Sequence, residues 1–446
     1  MEDKSSLAKF GASKSLTEAA ASGSAHGVDC PITDICSVNP ESLGSGSEQP
    51  AQFRYLDISS INQGVIDWSV TRVCSRVNAP SRAQRVVRSG DVLLSTVRPG
   101  LKAHGIIRAL VDLPLVASTG FAVLRPHQES DSAYLFHQLF GNAVASQLRA
   151  REVGSNYPAV NERDVEALRL FASSAVQQER IGAVLDLLDE AFQQSGAVIA
   201  KLKQLRTGLL HDLLTCGIDE NGELRDPLRK NHEFRSSQIG LIPTSWEVER
   251  LEAVASVDRG KFTYRPRNDP SLYGGSALFI QTGDVTEAAG EVIFESTQTL
   301  NQRGMAHSRE FPAGTVAITI AANIGDTAIL GRPMYFPDSV VGVIANDSMS
   351  ARWIELCLRR AKAKLMALAP QSAQRNINLR FLRPLEIPIP SLDEQQRCSS
   401  LYELLNQELQ EELLYLNKLK LVKAGLADNL LNGHVRVPDR AMEVAS

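Results

Sequence analysis

Residues 176–214 have the sequence VQQERIGAVLDLLDEAFQQSGAVIAKLKQLRTGLLHDLL, and residues 393–431 have the sequence DEQQRCSSLYELLNQELQEELLYLNKLKLVKAGLADNLL. The two stretches align without a gap at an offset of 217 residues, which places Lys201-Leu202-Lys203 on Lys418-Leu419-Lys420. The same offset extends the alignment to residues 131–216 over residues 348–433. A register held over this length predicts two structurally equivalent halves, and therefore a pseudo-twofold arrangement within one polypeptide.

Both stretches carry apolar residues at an alternating spacing of three and four, which predicts one long helix with a heptad pattern in each half. A helix of about 35 residues is roughly 50 Å long at ~1.5 Å per residue, which makes it a rod. The apolar positions form a predicted pairing seam consisting of Leu185, Leu188, Phe192, Ile199, Leu202, Leu209, Leu213, Leu405, Leu409, Leu416, Leu419, Leu426 and Leu430.

Polar residues interrupt the pairing seam at matched positions in the two copies, where they can fix the helix register. A glycine inside a helix costs about 1 kcal/mol relative to alanine, so glycines at matched sites predict a close approach of the two helices. An ordinary four-helix core and a homodimeric coiled coil remain alternatives, but the duplication favours pairing within one chain. The interruptions are Ser195, Arg206, Glu412 and Lys423, and the glycines are Gly208 and Gly425.

Short strand patterns precede the helical part of each half. Residues 53–58 alternate with period two, and Gly90-Asp91-Val92-Leu93-Leu94 has the apolar pattern of a short buried strand. The second half repeats that phrase as Gly314-Thr315-Val316-Ala317-Ile318. A helix is expected near 132–150 and again near 350–368, so the sequence predicts an α+β fold with two mixed domains joined by long helices.

Composition excludes several classes of protein. The 446 residues carry a formal net charge of −4, so any anionic partner must meet a local basic patch. No apolar run is long enough to cross a membrane, which takes about 18 residues or more, and a cytoplasmic protein is expected. The cysteines have no CxxC spacing and predict neither a disulfide framework nor a metal site; they are Cys30, Cys36, Cys74, Cys216, Cys357 and Cys398.

Several phrases together resemble the specificity subunits of type I restriction–modification systems. Ile239-Gly240-Leu241-Ile242-Pro243-Thr244-Ser245-Trp246 is similar to the start of a target-recognition domain in that family. Asn376-Ile377-Asn378-Leu379, followed by Leu385-Glu386-Ile387-Pro388-Ile389-Pro390 and then Glu394-Gln395-Gln396-Arg397, is similar to the approach to its helical region. The resemblance covers residues 28–433. The first half departs from it, because residues 171–178 lack the prolines of the second copy and no Ile-Pro…Trp phrase begins that half.

The resemblance implies a non-catalytic reader of double-stranded DNA. Each target-recognition domain would recognise one half of a bipartite, asymmetric site, and the two helical regions would pair antiparallel as a spacer. Two adenine methyltransferase subunits would dock on this subunit and bind S-adenosylmethionine, and restriction subunits that use ATP could join them; this chain would hold no cofactor or metal. The expected division is a disordered extension at 1–27, recognition domains at 28–155 and 236–375, and helical spacer regions at 156–235 and 376–446.

Two basic clusters are the candidate DNA-binding residues, because duplex DNA leaves a basic footprint on the protein that binds it. Eight basic residues and one acid lie between residues 72 and 108, and four basic residues without an acid lie between residues 259 and 267. Arginine favours bidentate contacts with guanine edges and phosphates. A third cluster (Arg359, Arg360, Lys362 and Lys364) is expected to be a solvated helix face. The predicted DNA-binding set is Arg72, Arg76, Arg82, Arg85, Arg88, Arg98, Lys102, Arg259, Lys261, Tyr264, Arg265 and Arg267.

Two other classes of function are alternatives to DNA recognition. An adenine methyltransferase needs an Asn/Asp-Pro-Pro-aromatic loop to grip a flipped base. The nearest phrases, Asn39-Pro40-Glu41-Ser42 and Asp269-Pro270-Ser271-Leu272, lack the second proline and the aromatic residue. Catalysis by this chain is therefore not expected. A coiled-coil scaffold that binds protein and has no sequence-specific DNA binding remains the alternative interpretation.

Overall fold

The structure is a computed structural model that describes residues 27–44, 50–108, 112–368 and 376–438. The chain divides into two compact units: unit 1 comprises Met1–Gly196 and Leu414–Ser446, and unit 2 comprises Ala197–Leu413. The predicted extension at 1–27 lies outside the described residues, apart from Gly27. Each unit contains one sheet-rich domain and one part of each long helix.

Unit 1 begins with a strand-rich segment followed by three short helices. Its helices are α1 (Ser132–Phe140), α2 (Asn142–Arg151) and α3 (Glu162–Glu166). Its strands are β1 (Val28–Pro31), β2 (Cys36–Val38), β3 (Gln52–Leu56), β4 (Ile61–Asn62), β5 (Val65–Ile66), β6 (Arg72–Ser75), β7 (Ala83–Val87), β8 (Val92–Ser95), β9 (Gly105–Ile106), β10 (Leu115–Ser118), β11 (Phe121–Pro126) and β12 (Arg169–Ala172).

Unit 2 repeats this plan, and the two long helices are α4 (Ala175–Leu213) and α10 (Leu392–Leu431). The other helices of unit 2 are α5 (Leu251–Val254), α6 (Thr282–Ala288), α7 (Gln302–Met305), α8 (Ala351–Leu368) and α9 (Leu379–Leu382). Its strands are β13 (Phe234–Ser237), β14 (Gly240–Pro243), β15 (Glu247–Arg250), β16 (Ala255–Arg259), β17 (Tyr273–Phe279), β18 (Val292–Ile293), β19 (Gln298–Leu300), β20 (Arg309–Phe311), β21 (Val316–Thr319), β22 (Thr327–Leu330), β23 (Met334–Phe336), β24 (Val340–Ala345) and β25 (Glu386–Ile389).

The two sheet domains share one strand topology, apart from a fifth strand, β18, at the edge of the inner sheet of unit 2. In unit 1 an inner sheet has the order β2-β11-β8-β9 and an outer sheet has the order β6-β3-β10-β7. The corresponding sheets of unit 2 have the orders β16-β24-β21-β22-β18 and β19-β17-β23-β20. In both outer sheets the two central strands are parallel and the flanking strands are antiparallel. The duplication therefore includes the sheets, although their sequences have drifted.

Alternating side chains explain why the inner sheet is buried on both faces. In β8, Leu93 packs between the two sheets, whereas Val92 and Leu94 pack toward α1 and α2. In β21, Ala317 lies on the inter-sheet side, whereas Val316 and Ile318 pack toward α8. A strand with both faces covered needs a continuous apolar run, and both strands are fully buried.

A buried glutamine at the start of each long helix fixes that helix to its own sheet domain. Gln178 accepts a hydrogen bond from the Asp131 backbone N–H (3.1 Å) and donates one to the Ser173 carbonyl (2.9 Å). Gln395 accepts from the Ser350 backbone N–H (2.9 Å) and donates to the Pro390 carbonyl (3.0 Å). These two glutamines are aligned by the 217-residue repeat, so the repeat preserves a structural joint.

The long helices are antiparallel within each unit. In unit 1 the Asp189 carboxylate of α4 pairs with Lys423 of α10, while Leu185, earlier in α4, packs with Leu430, later in α10. In unit 2, Arg206 donates to Asn406 at 2.9 Å, while Leu213, later in α4, packs with Tyr402, earlier in α10. Every member of the pairing seam is buried or half-buried.

Two of the four polar interruptions in the seam are occupied by equivalent cross-helix pairs. Arg206 with Asn406 and Lys423 with Asp189 are related by the 217-residue offset at both positions. Such partners satisfy polar groups that the heptad pattern places between the helices. The repeat therefore preserves the position of a polar contact while its chemistry changes from Arg–Asn to Lys–Asp.

The prediction of close helix approach at the matched glycines is wrong. Gly208 and Gly425 are exposed, and a Cβ atom at either would contact nothing within 4 Å. Each glycine lies beside the seam on the solvent side, because one heptad presents only two of its seven positions to the partner helix.

The repeat is also not free of gaps. Asp131 and Ser350 occupy equivalent positions, because each caps the following helix and donates its backbone N–H to the buried glutamine of its unit, Gln178 or Gln395. Their offset is 219, whereas Asn161 and Asn378, the caps of α3 and α9, are 217 apart. The first copy has two more residues in this interval, and its predicted single helix is interrupted at Gly141, with ψ 149°.

The predicted fold class is confirmed: both units are α+β, and long helices follow the mixed domains. The pseudo-twofold arrangement and the exact domain bounds stay predictions. The structure places residues 156–174 against the first sheet domain, because β12 pairs with β1 over Val28–Pro31. The continuous long helices begin later than the predicted spacers, at Ala175 and Leu392.

Candidate nucleic-acid interface

Two arginines of the unit 1 outer sheet are exposed. Arg72 begins the edge strand β6 opposite Tyr55, and Arg82 immediately precedes the other edge strand, β7. Neither side chain has an ion pair or hydrogen bond with another described residue. Burial raises the pKa of Tyr55, while the Ser118 hydrogen bond and the charges of Arg82 and Arg72 oppose that shift. Both arginines therefore lie within electrostatic range of one hydroxyl group.

Three further arginines of the predicted set have partners on the protein. Arg85 pairs with Glu162 at 3.2 Å, and Arg88 pairs with Glu41 at 2.7 Å. Arg76 is exposed and lies 3.5 Å from the Gly44 carbonyl oxygen. The acids that neutralise this cluster are distant in sequence, so the strong local excess of basic residues overstates the free charge.

Arg98 and Lys102 flank the turn between β8 and β9. Both residues have left-handed backbone conformations, with φ of 48° and 53°, which non-glycine residues rarely adopt. The Arg98 guanidinium stacks over Tyr157 at 4.3 Å from the ring centroid and donates to the Asn156 carbonyl at 3.1 Å. Lys102 donates to the Phe140 carbonyl at 3.3 Å. The turn thus presents a stacked Arg–Tyr pair, and Tyr157 is 69% exposed.

His104 lies buried beneath this turn. Burial lowers its pKa to about 4, and the nearby Lys102 charge acts in the same direction. Nδ1 accepts a hydrogen bond from the Ser95 backbone N–H at 3.1 Å, so the neutral ring carries its proton on Nε2. The equivalent residue of unit 2 is Thr327, whose hydroxyl donates to Glu355 at 2.7 Å.

In unit 2 the predicted arginines converge on one acid. Arg267 Nη2 lies 2.5 Å from both carboxylate oxygens of Asp338, and Arg265 Nη2 lies 3.5 Å from Oδ2. Arg259 donates through Nε to the Asp338 backbone carbonyl. Lys261 is exposed and has no ion pair among the described residues. The arginines keep a net positive charge while one carboxylate holds them together.

Tyr264 lies in the same segment and contacts residues that the sequence did not single out. The guanidinium of Arg303 lies 5.4 Å from the Tyr264 ring centroid and donates to its hydroxyl at 3.2 Å. His307 packs against the ring at 5.2 Å between centroids. Arg303 and Asp338 are far from the cluster in sequence, and only the fold brings them to it.

The third basic cluster differs from its prediction. Arg359 pairs with the buried Glu355 at 2.9 Å, Arg360 donates to the Leu214 carbonyl at 3.0 Å, and Lys362 pairs with Asp326. Of these four residues, only Lys364 is exposed and without an ion pair or hydrogen bond to another described residue. The helix-face prediction failed because α8 packs against the sheet and against the end of α4, so its basic residues serve as internal pairs.

One group of side chains in unit 1 has the composition of a metal site. His137, Asp186 and Asp189 offer ligand atoms within 4.8 Å of one another. Arg108 binds Asp186 through two hydrogen bonds of 2.6 and 2.7 Å, and Lys423 pairs with Asp189. Burial acts to raise the pKa of Asp186, but the hydrogen bonds from His137 and Arg108 hold it below its ordinary value. These cations already neutralise the carboxylates, so the group forms an ion-pair network.

The buried thiols are poorly suited to nucleophilic chemistry. Burial raises the pKa of Cys30 to about 11 and the pKa values of Cys36 and Cys398 to about 12. A thiol must ionise to react, and these three stay protonated at neutral pH.

Among the described residues, no helix is both long enough and apolar enough to cross a membrane.

Known proteins share both sequence and fold with this chain. A family model described as a type I restriction modification DNA specificity domain matches residues 243–414. The type I restriction enzyme MjaVIII specificity subunit of Methanocaldococcus jannaschii is 23% identical over 367 residues, covering 79% of this chain and 80% of the relative. The HindI specificity subunit of Haemophilus influenzae is 20% identical over 417 residues, covering 80% and 89%.

Two solved structures share the fold over nearly the whole chain. A chain from a study of complex assembly and conformational transition in the type I R-M system has a TM-score of 0.57 and 22% identity, covering 92% of this chain and 98% of that chain. The type I restriction–modification S subunit from M. genitalium has a TM-score of 0.55 and 12% identity, covering 92% and 97%. The matched domain, the relatives and the shared fold make this chain similar to the specificity subunits of type I restriction–modification systems.

Proposed function

We propose that this chain is the sequence-specific double-stranded DNA recognition subunit of a type I restriction–modification complex. Each sheet domain recognises one half of a bipartite, asymmetric site. The observation that carries the proposal is the repetition of one strand topology with two different basic surfaces, formed by Arg72 and Arg82 in unit 1 and by the Asp338-linked arginines in unit 2. A duplicated scaffold with unlike polar surfaces suits the reading of two unlike sequences.

The long helices are proposed to bind the partner subunits and to set the spacing between half-sites. Large apolar side chains on both helices are exposed although the seam is covered; Leu187 of α4 is 50% exposed, and Leu404 and Leu414 of α10 are 63% and 69% exposed. Exposed apolar side chains grouped on one element are typical of protein interfaces. We assign methyl transfer to adenine, with S-adenosylmethionine, to two partner methyltransferase subunits, and ATP use to restriction subunits where these are present.

A domain exchange tests the modular part of the proposal. The chain is co-expressed with candidate methyltransferase subunits, and methylated adenines are mapped across the host genome. Replacing residues 28–155 by the corresponding domain of a relative with another specificity should change one half of the methylated sequence and leave the other half intact. The pairing of β1 with β12 uses backbone groups, so the exchanged domain keeps this joint.

The reciprocal exchange of residues 236–375 is the matched control and should change only the other half. A change in both halves, or in neither, contradicts modular recognition. The scaffold alternative predicts that the chain with its partners protects no unique duplex sequence. Footprinting of the assembled complex distinguishes these outcomes without relying on methylation activity.

A further inference from the structure

Asp338 stands at the centre of the basic surface of unit 2, in the turn between β23 and β24. Its carboxylate binds Arg267 at 2.5 Å through both oxygens and lies 3.5 Å from Arg265, while its backbone carbonyl accepts from Arg259. The Asp338 side chain is only 27% exposed, whereas Arg265 and Arg267 are 54% and 49% exposed. One partly covered acid therefore holds arginines that remain open to solvent.

The contacts leave part of the Arg267 guanidinium available. Arg267 uses Nη2 for Asp338, and among the described residues neither Nε nor Nη1 has a hydrogen-bond partner. A guanidinium has five N–H donors in a rigid fork, so three of them stay free. Arg265 is more constrained, because its Nη1 donates to the Phe262 and Tyr264 carbonyls, both at 2.7 Å. Arg267 is thus the arginine that is both oriented and open.

The corresponding turn of unit 1 contains no acidic residue. This turn, between β10 and β11, contains Thr119, whose backbone N–H donates to the Arg82 carbonyl at 2.8 Å. Thr119 is exposed and offers no carboxylate, and Arg82 has no ion pair with another described residue. The shared topology therefore does not require an acid in this turn, and Asp338 is specific to the surface of unit 2.

We propose that Asp338 is a positioning residue for base recognition: it fixes Arg267 so that its free N–H groups meet the major-groove edge of a guanine in the half-site read by unit 2. This inference rests on the proposed function. Guanine presents the O6 and N7 acceptors that the arginine fork matches. A side chain that is ordered before binding loses less conformational freedom on contact, and a fixed direction favours one base over another. A carboxylate that only neutralised charge would weaken binding to all DNA alike.

The test uses the full chain assembled with its methyltransferase subunits and duplexes that carry the recognition sequence mapped from methylated adenines. Each guanine of the unit 2 half-site is replaced in turn by 7-deazaguanine, which lacks the N7 acceptor. One replacement should weaken binding of the unmodified protein by about tenfold or more. In Asp338→Asn the same replacement should have little effect, because the substitution itself has already weakened specific binding by a similar factor. The affinity of this variant for a scrambled duplex should rise, and the salt slope of its binding should be steeper by about one, because one negative charge is lost.

Two further variants separate positioning from charge and from folding. Arg267→Lys keeps the charge but loses the fork, so it should lose the guanine sensitivity at an unchanged salt slope. Glu287→Gln adds the same charge at an exposed site in α6 and should leave the discrimination intact. The proposal is overturned if Asp338→Asn retains full sensitivity to 7-deazaguanine, or if it weakens specific and scrambled duplexes in parallel. If the unmodified complex protects no unique sequence, the proposed function itself fails.

Discussion

Arg72 and Arg82 at the edges of the unit 1 outer sheet have no acidic partner in the described part of the chain, whereas Arg265 and Arg267 of unit 2 are held by Asp338. The sheets beneath them have the same strand order. Free arginines adapt to phosphates wherever the backbone lies, while a held arginine has one preferred direction. Under the proposed function, we infer that one scaffold supports two modes of DNA contact, one dominated by charge and one by orientation.

The comparison of the two surfaces requires that the sheet domains beneath them be structurally equivalent. The prediction with the largest expected effect concerns two buried aromatic residues at equivalent positions in the two domain cores. Trp353 is fully buried and donates from Nε1 to the Pro388 carbonyl at 2.9 Å, and Tyr134 donates from its hydroxyl to the equivalent Phe171 carbonyl at 2.6 Å. Trp353→Ala should destabilise unit 2 by about 3–5 kcal/mol through loss of the ring. Tyr134→Phe should cost about 2 kcal/mol in unit 1, because the hydroxyl loses the bond that it donates to Phe171 and the bond that it accepts from Gln138.

Denaturant unfolding followed by hydrogen exchange at β21 and at β8 measures the two effects separately. Leu404→Ala, at a site 63% exposed, is the control and should change stability by less than about 0.5 kcal/mol. A loss from Trp353→Ala no larger than that from Tyr134→Phe would contradict the central place of the Trp353 ring in the core of unit 2.

The second prediction concerns the pH dependence of stability, which should differ between the two units. The pKa of His104 is about 4 in the folded chain and about 6.5 in an unfolded one. Because the lowered pKa favours the neutral ring, its full contribution to stability is present above pH 6.5 and is lost as the pH falls toward 4. The loss approaches about 3 kcal/mol and should appear in unit 1, since unit 2 has Thr327 at this position.

His104→Asn keeps an acceptor for the Ser95 N–H and should flatten the pH dependence of unit 1 stability between pH 7 and 4.5. His232→Asn, where the side chain is 82% exposed, should leave it unchanged. Stability of the two units can be followed by hydrogen exchange across this range. Equal acid sensitivity of the units in the unmodified protein would contradict the assignment of the effect to His104.

The smallest expected effect lies on the unit 1 surface itself. Arg72→Ala and Arg82→Ala should each lower the salt slope of DNA binding by about one and weaken specific and scrambled duplexes to a similar degree. Arg229→Ala, in a residue whose side chain is 87% exposed and lies outside both sheets, is the control. Titrations of the assembled complex at several salt concentrations measure the slopes. If Arg72 or Arg82 instead changed the preferred base, the contrast between the two surfaces would disappear.

Sequence reasoning succeeded where the structure is determined by local periodicity or by backbone contacts. The strand phrases at residues 90–94 and 314–318 form β8 and β21, and the aligned Asn161 and Asn378 both cap short helices. Helix caps and buried strands depend on neighbouring residues, so single-sequence patterns reveal them.

The ion-pair partners of the surface arginines could not be predicted from the sequence, for a physical reason. Asp338 lies in a turn far from the arginines that it holds, and Glu162 likewise neutralises Arg85 across a long separation. Only the sheet topology brings these groups together. The error at Gly208 has a related origin, because the heptad pattern identifies the helix but a glycine beside the seam faces solvent. The DNA-binding residues therefore stay predictions.

The hydrogen bonds of Gln178 and Gln395, here called the glutamine clamps, have a consequence for the exchange of domains between such proteins. Each clamp is formed with backbone N–H and carbonyl groups at the base of a sheet domain. Backbone groups are present whatever side chains the domain carries. A domain exchanged at this position can therefore keep the same hydrogen bonds to an existing helix whatever side chains it carries.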